Sequence, residues 1–154
     1  MAISGEIEQE LEWFPVAPGD VIDVPCGTIH AIGGGVTLYE VQQPADITWR
    51  LYDWGRGREL HLDDALEVAR TSPAAGPMRP RGPLISGPIF NVWRAEADRF
   101  DAQNWRALTC TAGSLLIDGG EHGDFTLVAG DTALVGPGRG HLAGDGSGLW
   151  ASCS

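Results

Sequence analysis

Apolar residues along this chain fall in short runs broken by glycine, proline and acidic positions, and that rhythm predicts an all-β protein. Val21–Val24 reads as a strand bounded by turns at Pro15–Asp20 and Pro25–Thr28. His30–Ile32 and Val36–Gln42 flank Gly33, Gly34 and Gly35, which predicts a hairpin. From Ile47 to Tyr52, the large residues Ile47, Trp49 and Leu51 alternate with Thr48, Arg50 and Tyr52. A period of two puts Arg50 on the face opposite the large apolar side chains, towards either a barrel lumen or water. Residues 6–12 mix acids with Ile7 and Leu11 and suit a strand or a short helical turn. Further strands are predicted at Phe90–Trp93, Trp105–Cys110, Ser114–Ile117, Phe125–Val128, Thr132–Val135 and Leu149–Ser152.

One helix interrupts this pattern, over Asp63–Arg70. Acids occupy its first turn, an arginine closes it, and Leu62, Leu66 and Ala69 share a face. Thr71–Pro83 then holds four prolines and two glycines in thirteen residues. That composition marks a linker at 73–83, between a first segment at 1–72 and a second at 84–154.

An internal repeat ties the two segments together. Pro18-Gly19-Asp20-Val21 through Gly27-Thr28-Ile29-His30-Ala31 returns 111 residues later as Ala129-Gly130-Asp131-Thr132 through Gly138-Arg139-Gly140-His141-Leu142. Gly19, Asp20, Gly27 and His30 fall on Gly130, Asp131, Gly138 and His141 without a gap. In each copy a Gly-Asp turn opens an apolar strand, and a glycine-rich turn then presents a histidine. Two related β-units follow.

Charge and thiols narrow the function classes. The net charge is −11 with no lysine, every positive charge being arginine. Phosphate polymers are repelled at long range, so nucleic acid is not expected as a partner. A small phosphorylated ligand is compatible, because arginines clamp phosphate in bidentate fashion. Without lysine, no Schiff base forms on this chain. Cys26, Cys110 and Cys153 are far apart and show no CxxC spacing, so neither a disulfide framework nor a zinc ribbon is expected. The N-terminal residues lack a basic segment followed by an apolar run, and no apolar stretch reaches the length of a membrane span. A cytoplasmic protein with no membrane partner is the expectation.

Gly19, Pro25, Gly27 and His30 fit Gly-x5-Pro-x-Gly-x2-His, the second signature of the cupin superfamily. The likeness sharpens over Pro25–Ile32, Glu40-Val41-Gln42-Gln43, Asp46–Asp53 and Arg58-Glu59-Leu60-His61-Leu62, where the chain resembles type I mannose-6-phosphate isomerases. It is strong over about residues 5–70 and looser across 84–152, where it resembles the C-terminal cupin-like domain of that family. The resemblance implies jelly-roll (double-stranded β-helix) units with one short helix: a partial cupin unit at 1–72 and a degenerate one at 84–154. It also implies a zinc-dependent aldose–ketose isomerase that interconverts mannose 6-phosphate and fructose 6-phosphate. His30 then matches one of four metal ligands. Arg50 matches an active-site cation that stabilises an enediolate, and Glu40 matches an acidic position suited to proton transfer.

The match departs from the family upstream, because the Gln-x-His pair and the glutamate that complete the zinc site have no counterpart in this sequence. One histidine does not hold a catalytic zinc, which needs about three protein ligands. Two alternatives therefore stand beside the isomerase reading. One is a non-catalytic cupin module that binds a sugar or a partner without metal. The other is a metal-dependent cupin enzyme whose ligands, His30, Glu40 and His61, are completed across an interface. Arg50 has a structural alternative as an ion-pair partner of Glu40 or Asp46, His61 as a packing or capping residue, and His141 as part of a metal-free unit. An incomplete first barrel exposes strand edges and apolar surface, so this half is expected to pair with itself in a homodimer or to pack on the second unit.

Overall fold

The computed structural model describes residues 5–45, 47–120 and 123–154. The chain divides into two compact units, Met1–Arg79 and Pro80–Ser154.

The second unit is a β-sandwich. Among the described residues, nine strands run β1 (Ile85–Ser86), β2 (Phe90–Ala95), β3 (Arg99–Ala102), β4 (Arg106–Ala112), β5 (Ser114–Ile117), β6 (Phe125–Val128), β7 (Thr132–Val135), β8 (Gly138–Ala143) and β9 (Ser147–Cys153). They form a five-stranded sheet in the order β1-β2-β9-β4-β7 and a four-stranded sheet in the order β3-β8-β5-β6. All pairings are antiparallel. Side chains from both sheets meet in one core of Ala95, Leu108, Cys110, Leu115, Ile117, Leu127, Leu142 and Trp150. Phe100 closes on Trp150 edge to face at 5.3 Å, as two aromatic quadrupoles prefer.

Alternation decides which residues enter that core. In β5, Leu115 and Ile117 are buried while Leu116 between them faces out. Among the described residues of this unit Thr109 is the buried polar exception, and its hydroxyl meets that of Thr132 at 2.7 Å across the β4–β7 pair. Gly148 in β9 has a steric reason: a Cβ there would stand 2.7 Å from both the Thr109 carbonyl and a Leu115 methyl.

The strands predicted beyond residue 84 all form, three of them with unchanged ends. Three others escape the sequence pattern. β3 is short and charged, β1 has two residues, and β8 looks like a glycine-rich turn until Arg99–Ala102 pairs with it.

The first unit departs from expectation. Its regular elements among the described residues are a 3-10 turn, Glu6–Glu10, and one helix, α1, Leu62–Val68. The strands predicted at 21–24, 30–32, 36–42 and 47–52 carry no ladder; the bridges recorded are Val21 with Met78 and Thr28 with Arg70. A strand is a relation between two segments, and a period-two pattern supplies only one of them. The helix also packs differently from the prediction. Ala65 is its buried residue, whereas Leu66 is 66% exposed.

The architecture is mostly β with one short helix, and the all-β, cupin-like fold class read from the sequence holds.

Candidate functional site

The signature turn is built in two steps. Asp20 closes Ala17–Asp20: its amide donates to the Ala17 carbonyl at 3.0 Å, and its Oδ2 accepts from the Ala17 amide at 2.8 Å. Gly19 carries the positive φ of 90° that the turn needs. Arg79 Nε donates to Asp20 Oδ1 at 2.5 Å and, with the Ala17 amide, holds the carboxyl below its usual range.

The second step places Gly27 against the end of α1. Thr28 N donates to the Pro25 carbonyl at 3.0 Å, and Arg70 N donates to the Gly27 carbonyl at 2.8 Å. Gly27 has φ of 82°, and a Cβ on it would lie 2.3 Å from the Val68 carbonyl oxygen. The motif's glycine is therefore required by close backbone approach as well as by its dihedral.

That turn delivers His30 to the surface. Its Nδ1 lies 2.8 Å from the Thr28 carbonyl. A carbonyl only accepts, so Nδ1 donates to it, and in the neutral ring this leaves the lone pair on Nε2, the tautomer suited to a metal ligand. Co-ligands do not gather there: no group of three or more His, Cys, Asp or Glu among the described residues stands where it could hold a metal. The donor set does not fit a catalytic zinc on this chain alone.

Arg50 sits in a denser polar cluster. Its side chain is 23% exposed, while Ile47 and Trp49 on the alternate positions are 63% and 41% exposed. Arg50 is thus more enclosed than Ile47 and Trp49, but the alternation does not sort the whole run, since Thr48 is exposed and Leu51 is half-buried. Its Nη1 donates to the Glu59 carbonyl at 2.9 Å, and its Nε lies 3.9 Å from Asp53. Asp53 is 6% exposed and accepts from the Arg58 amide at 2.8 Å and from Arg58 Nε at 2.5 Å. Burial pushes the Asp53 carboxyl up, but the Arg58 hydrogen bonds and the charges of Arg58 and Arg50 outweigh it, so its pKa is lowered.

His61 joins this cluster from the helix start. It offers no side-chain cap to α1. Its Nδ1 instead accepts from the Arg50 amide at 3.1 Å, its own amide donates to the Arg50 carbonyl at 2.9 Å, and its ring meets Trp49 edge to face at 5.6 Å.

Glu40 is exposed, and no hydrogen bond or ion pair ties it to the cluster among the described residues. The partner of Arg50 is Asp53 rather than Glu40; Asp46, the other expected partner, lies outside the described residues. Asp53, Arg58 and His61 were not singled out as a unit by sequence reasoning. The available signal was local, an aspartate followed by the Trp-Gly-Arg-Gly-Arg loop.

In the second unit, His141 pairs across β3–β8 with Arg99 and lines an open concavity of about 600 Å³ with Asp101, Asp118 and Arg139. Among the described residues, the histidine at the repeated position stands in no group of three or more potential metal ligands.

Fold and motif together define a cupin-like β-protein. Within that class, the similarity is to mannose-6-phosphate isomerases and covers part of the chain. The mannose-6-phosphate isomerase of Streptococcus mutans is 35% identical over 108 residues, covering 61% of this chain and 34% of that protein. The isomerase ManA of Bacillus subtilis is 47% identical over 70 residues, covering 42% of this chain and 22% of that protein. The chain therefore spans about a third or less of the length of these relatives. The crystal structure of a mannose 6-phosphate isomerase from B. subtilis matches 70% of this chain and 41% of its own, with TM-score 0.54 and 21% identity. That likeness speaks for the fold. No protein-family profile matches the chain.

No helix among the described residues is long and apolar enough to cross a membrane.

Proposed function

We propose that this chain carries the sugar-phosphate half-site of a mannose-6-phosphate isomerase-like protein, acting on mannose 6-phosphate and fructose 6-phosphate. One observation carries the reading: Arg50 is a half-enclosed guanidinium, anchored by the Glu59 carbonyl and flanked by Asp53, within the Asp46–Asp53 run that resembles the isomerases. A fixed cation of this kind lowers the cost of the negative charge that develops on an enediolate oxygen. In this reading Glu40 takes the proton from C2 of the aldose and returns it at C1, with no net gain or loss of protons. His30 Nε2 is the donor available to a metal. With one imidazole there, no step is routed through zinc.

The donor set also favours a second reading, a sugar-phosphate-binding module that does not turn its ligand over. The proposal further includes a cytoplasmic location and pairing of two copies through the apolar first unit.

Incubation of the purified chain with mannose 6-phosphate, followed by ³¹P and ¹³C NMR with and without added zinc, tests both readings. Formation of fructose 6-phosphate that is lost in Arg50→Met supports the isomerase. Saturable shifts without conversion support the module. Absence of both sinks the sugar-phosphate assignment.

A further inference from the structure

Arg50 owes its place to one residue eleven positions on. Residues 47–52 have no ladder partner, so the backbone of Arg50 lacks the neighbour strand that its pattern calls for. His61 replaces that strand. Its amide donates to the Arg50 carbonyl at 2.9 Å, and its imidazole Nδ1 accepts from the Arg50 amide at 3.1 Å. A side-chain nitrogen thus stands where a strand would offer a carbonyl. Two residues earlier, the Glu59 carbonyl accepts from Arg50 Nη1 at 2.9 Å. The 59–61 segment therefore holds residue 50 by its carbonyl, its amide and its guanidinium. Of the five guanidinium donors, Nη1 is engaged by Glu59, and Asp53 lies 3.9 Å from Nε.

We propose that His61 is a positioning residue for Arg50: its neutral ring, protonated at Nε2, fixes the backbone from which the guanidinium is aimed at a phosphate or enediolate oxygen. The inference rests on the reading of Arg50 as the ligand-facing cation. The donor logic is strict. A backbone N–H only donates, so Nδ1 must be bare, which is the opposite tautomer to that of His30. The edge contact with Trp49 holds the ring plane from the side.

The test uses the full chain with ¹⁵N-labelled histidine at about pH 8, above ordinary imidazole titration. His61 should show an unprotonated Nδ1 and a protonated Nε2. Two variants then separate the acceptor from the ring. The amide oxygen of His61→Asn reaches the place of Nδ1, whereas His61→Phe fills the volume and accepts nothing. His61→Phe should speed hydrogen exchange at the Arg50 amide, and weaken fructose 6-phosphate binding, by about tenfold each, the size of one hydrogen bond lost. His61→Asn should stay within about threefold of the parent in both. A ring protonated at Nδ1, or a His61→Asn variant as impaired as His61→Phe, overturns the inference. If His61→Phe does not fold, the tautomer and His61→Asn still decide. If the parent binds no sugar phosphate while the tautomer and exchange results hold, the ligand assignment fails and the hold on Arg50 stands.

Discussion

Asp20 and Asp131, equivalent positions in the two copies of the repeat, fold the same turn around themselves. Each donates its amide to the carbonyl three residues back (Ala17 at 3.0 Å, Val128 at 2.9 Å) and accepts from that residue's amide through Oδ2, at 2.8 and 3.0 Å. The preceding glycines share a positive φ, 90° at Gly19 and 98° at Gly130. The copies then diverge: after Gly27 the chain docks on the end of α1, whereas Gly138 opens strand β8. Asp20→Ala and Asp131→Ala should each lower the thermal midpoint by about 3–6 °C. The loss should be larger for Asp20, which also holds Arg79. Negligible shifts would show that the shared turn contributes little, and equal ones that the Asp20–Arg79 pair adds nothing to it.

Gly27→Ala faces both a positive φ and the Val68 carbonyl, so it should destabilise the chain by about 2–4 kcal/mol. Gly34→Ala, with nothing within 4 Å and no positive φ, serves as the control and should cost less than about 1 kcal/mol. Urea unfolding compares the two. A mild Gly27→Ala would mean that the helix end moves aside.

Acid should loosen the Arg50 cluster before it unfolds the second unit. The lowered pKa of Asp53 means that its carboxylate stabilises the folded form above the ordinary carboxyl pKa, near 3.9, and that this stability is lost as pH falls through the lower folded value. The near-ultraviolet signal of Trp49 and Trp54 reports the change. Asp53→Asn should remove that acid transition and release Arg58 at neutral pH; an unchanged profile would contradict the assignment.

Thiol reactivity should divide the cysteines. Cys26 and Cys153 are exposed and Cys110 is buried in the core, where its Sγ lies 3.4 Å from the Ala112 carbonyl. Two thiols should react quickly with a disulfide reagent in the native chain and the third only on unfolding. Rapid reaction of all three would place Cys110 outside a closed sandwich.

The first unit leaves Trp13, Ile32, Leu38, Ile47 and Trp49 exposed, and Ala65 is its buried hydrophobic residue among those described. Large apolar side chains left open to water in this number mark a surface that another chain covers. Light scattering should therefore give twice the chain mass, with dissociation on Ile47→Asp or Trp49→Asp. A stable monomer at micromolar concentration would remove the pairing from the proposal.

What was legible in the sequence follows from where the partners lie. Leu115, Ile117 and Leu127 announced β5 and β6 because alternation within a run is enough when the neighbouring strand is close in the chain. Gly138–Ala143 did not, since its strand character comes from Arg99–Ala102, forty positions away. Leu66 was misplaced because helical spacing alone cannot say which side of α1 meets the turn at Gly27. At the site, the period of two at 47–52 built no strand, and Asp53, Arg58 and His61 reach Arg50 through loop geometry that has no period. His30 came from the signature motif and Glu40 from the family resemblance, and among the described residues no hydrogen bond or ion pair joins either to Arg50.

The bond between His30 and the Thr28 carbonyl has a consequence for anything that approaches the signature turn. With one nitrogen tied down, the imidazole of this exposed residue has already surrendered much of its freedom to spin, and in its neutral form the lone pair is left on the other nitrogen. An incoming electrophile, whether ion or acidic proton, would meet a donor whose orientation was settled when the loop folded.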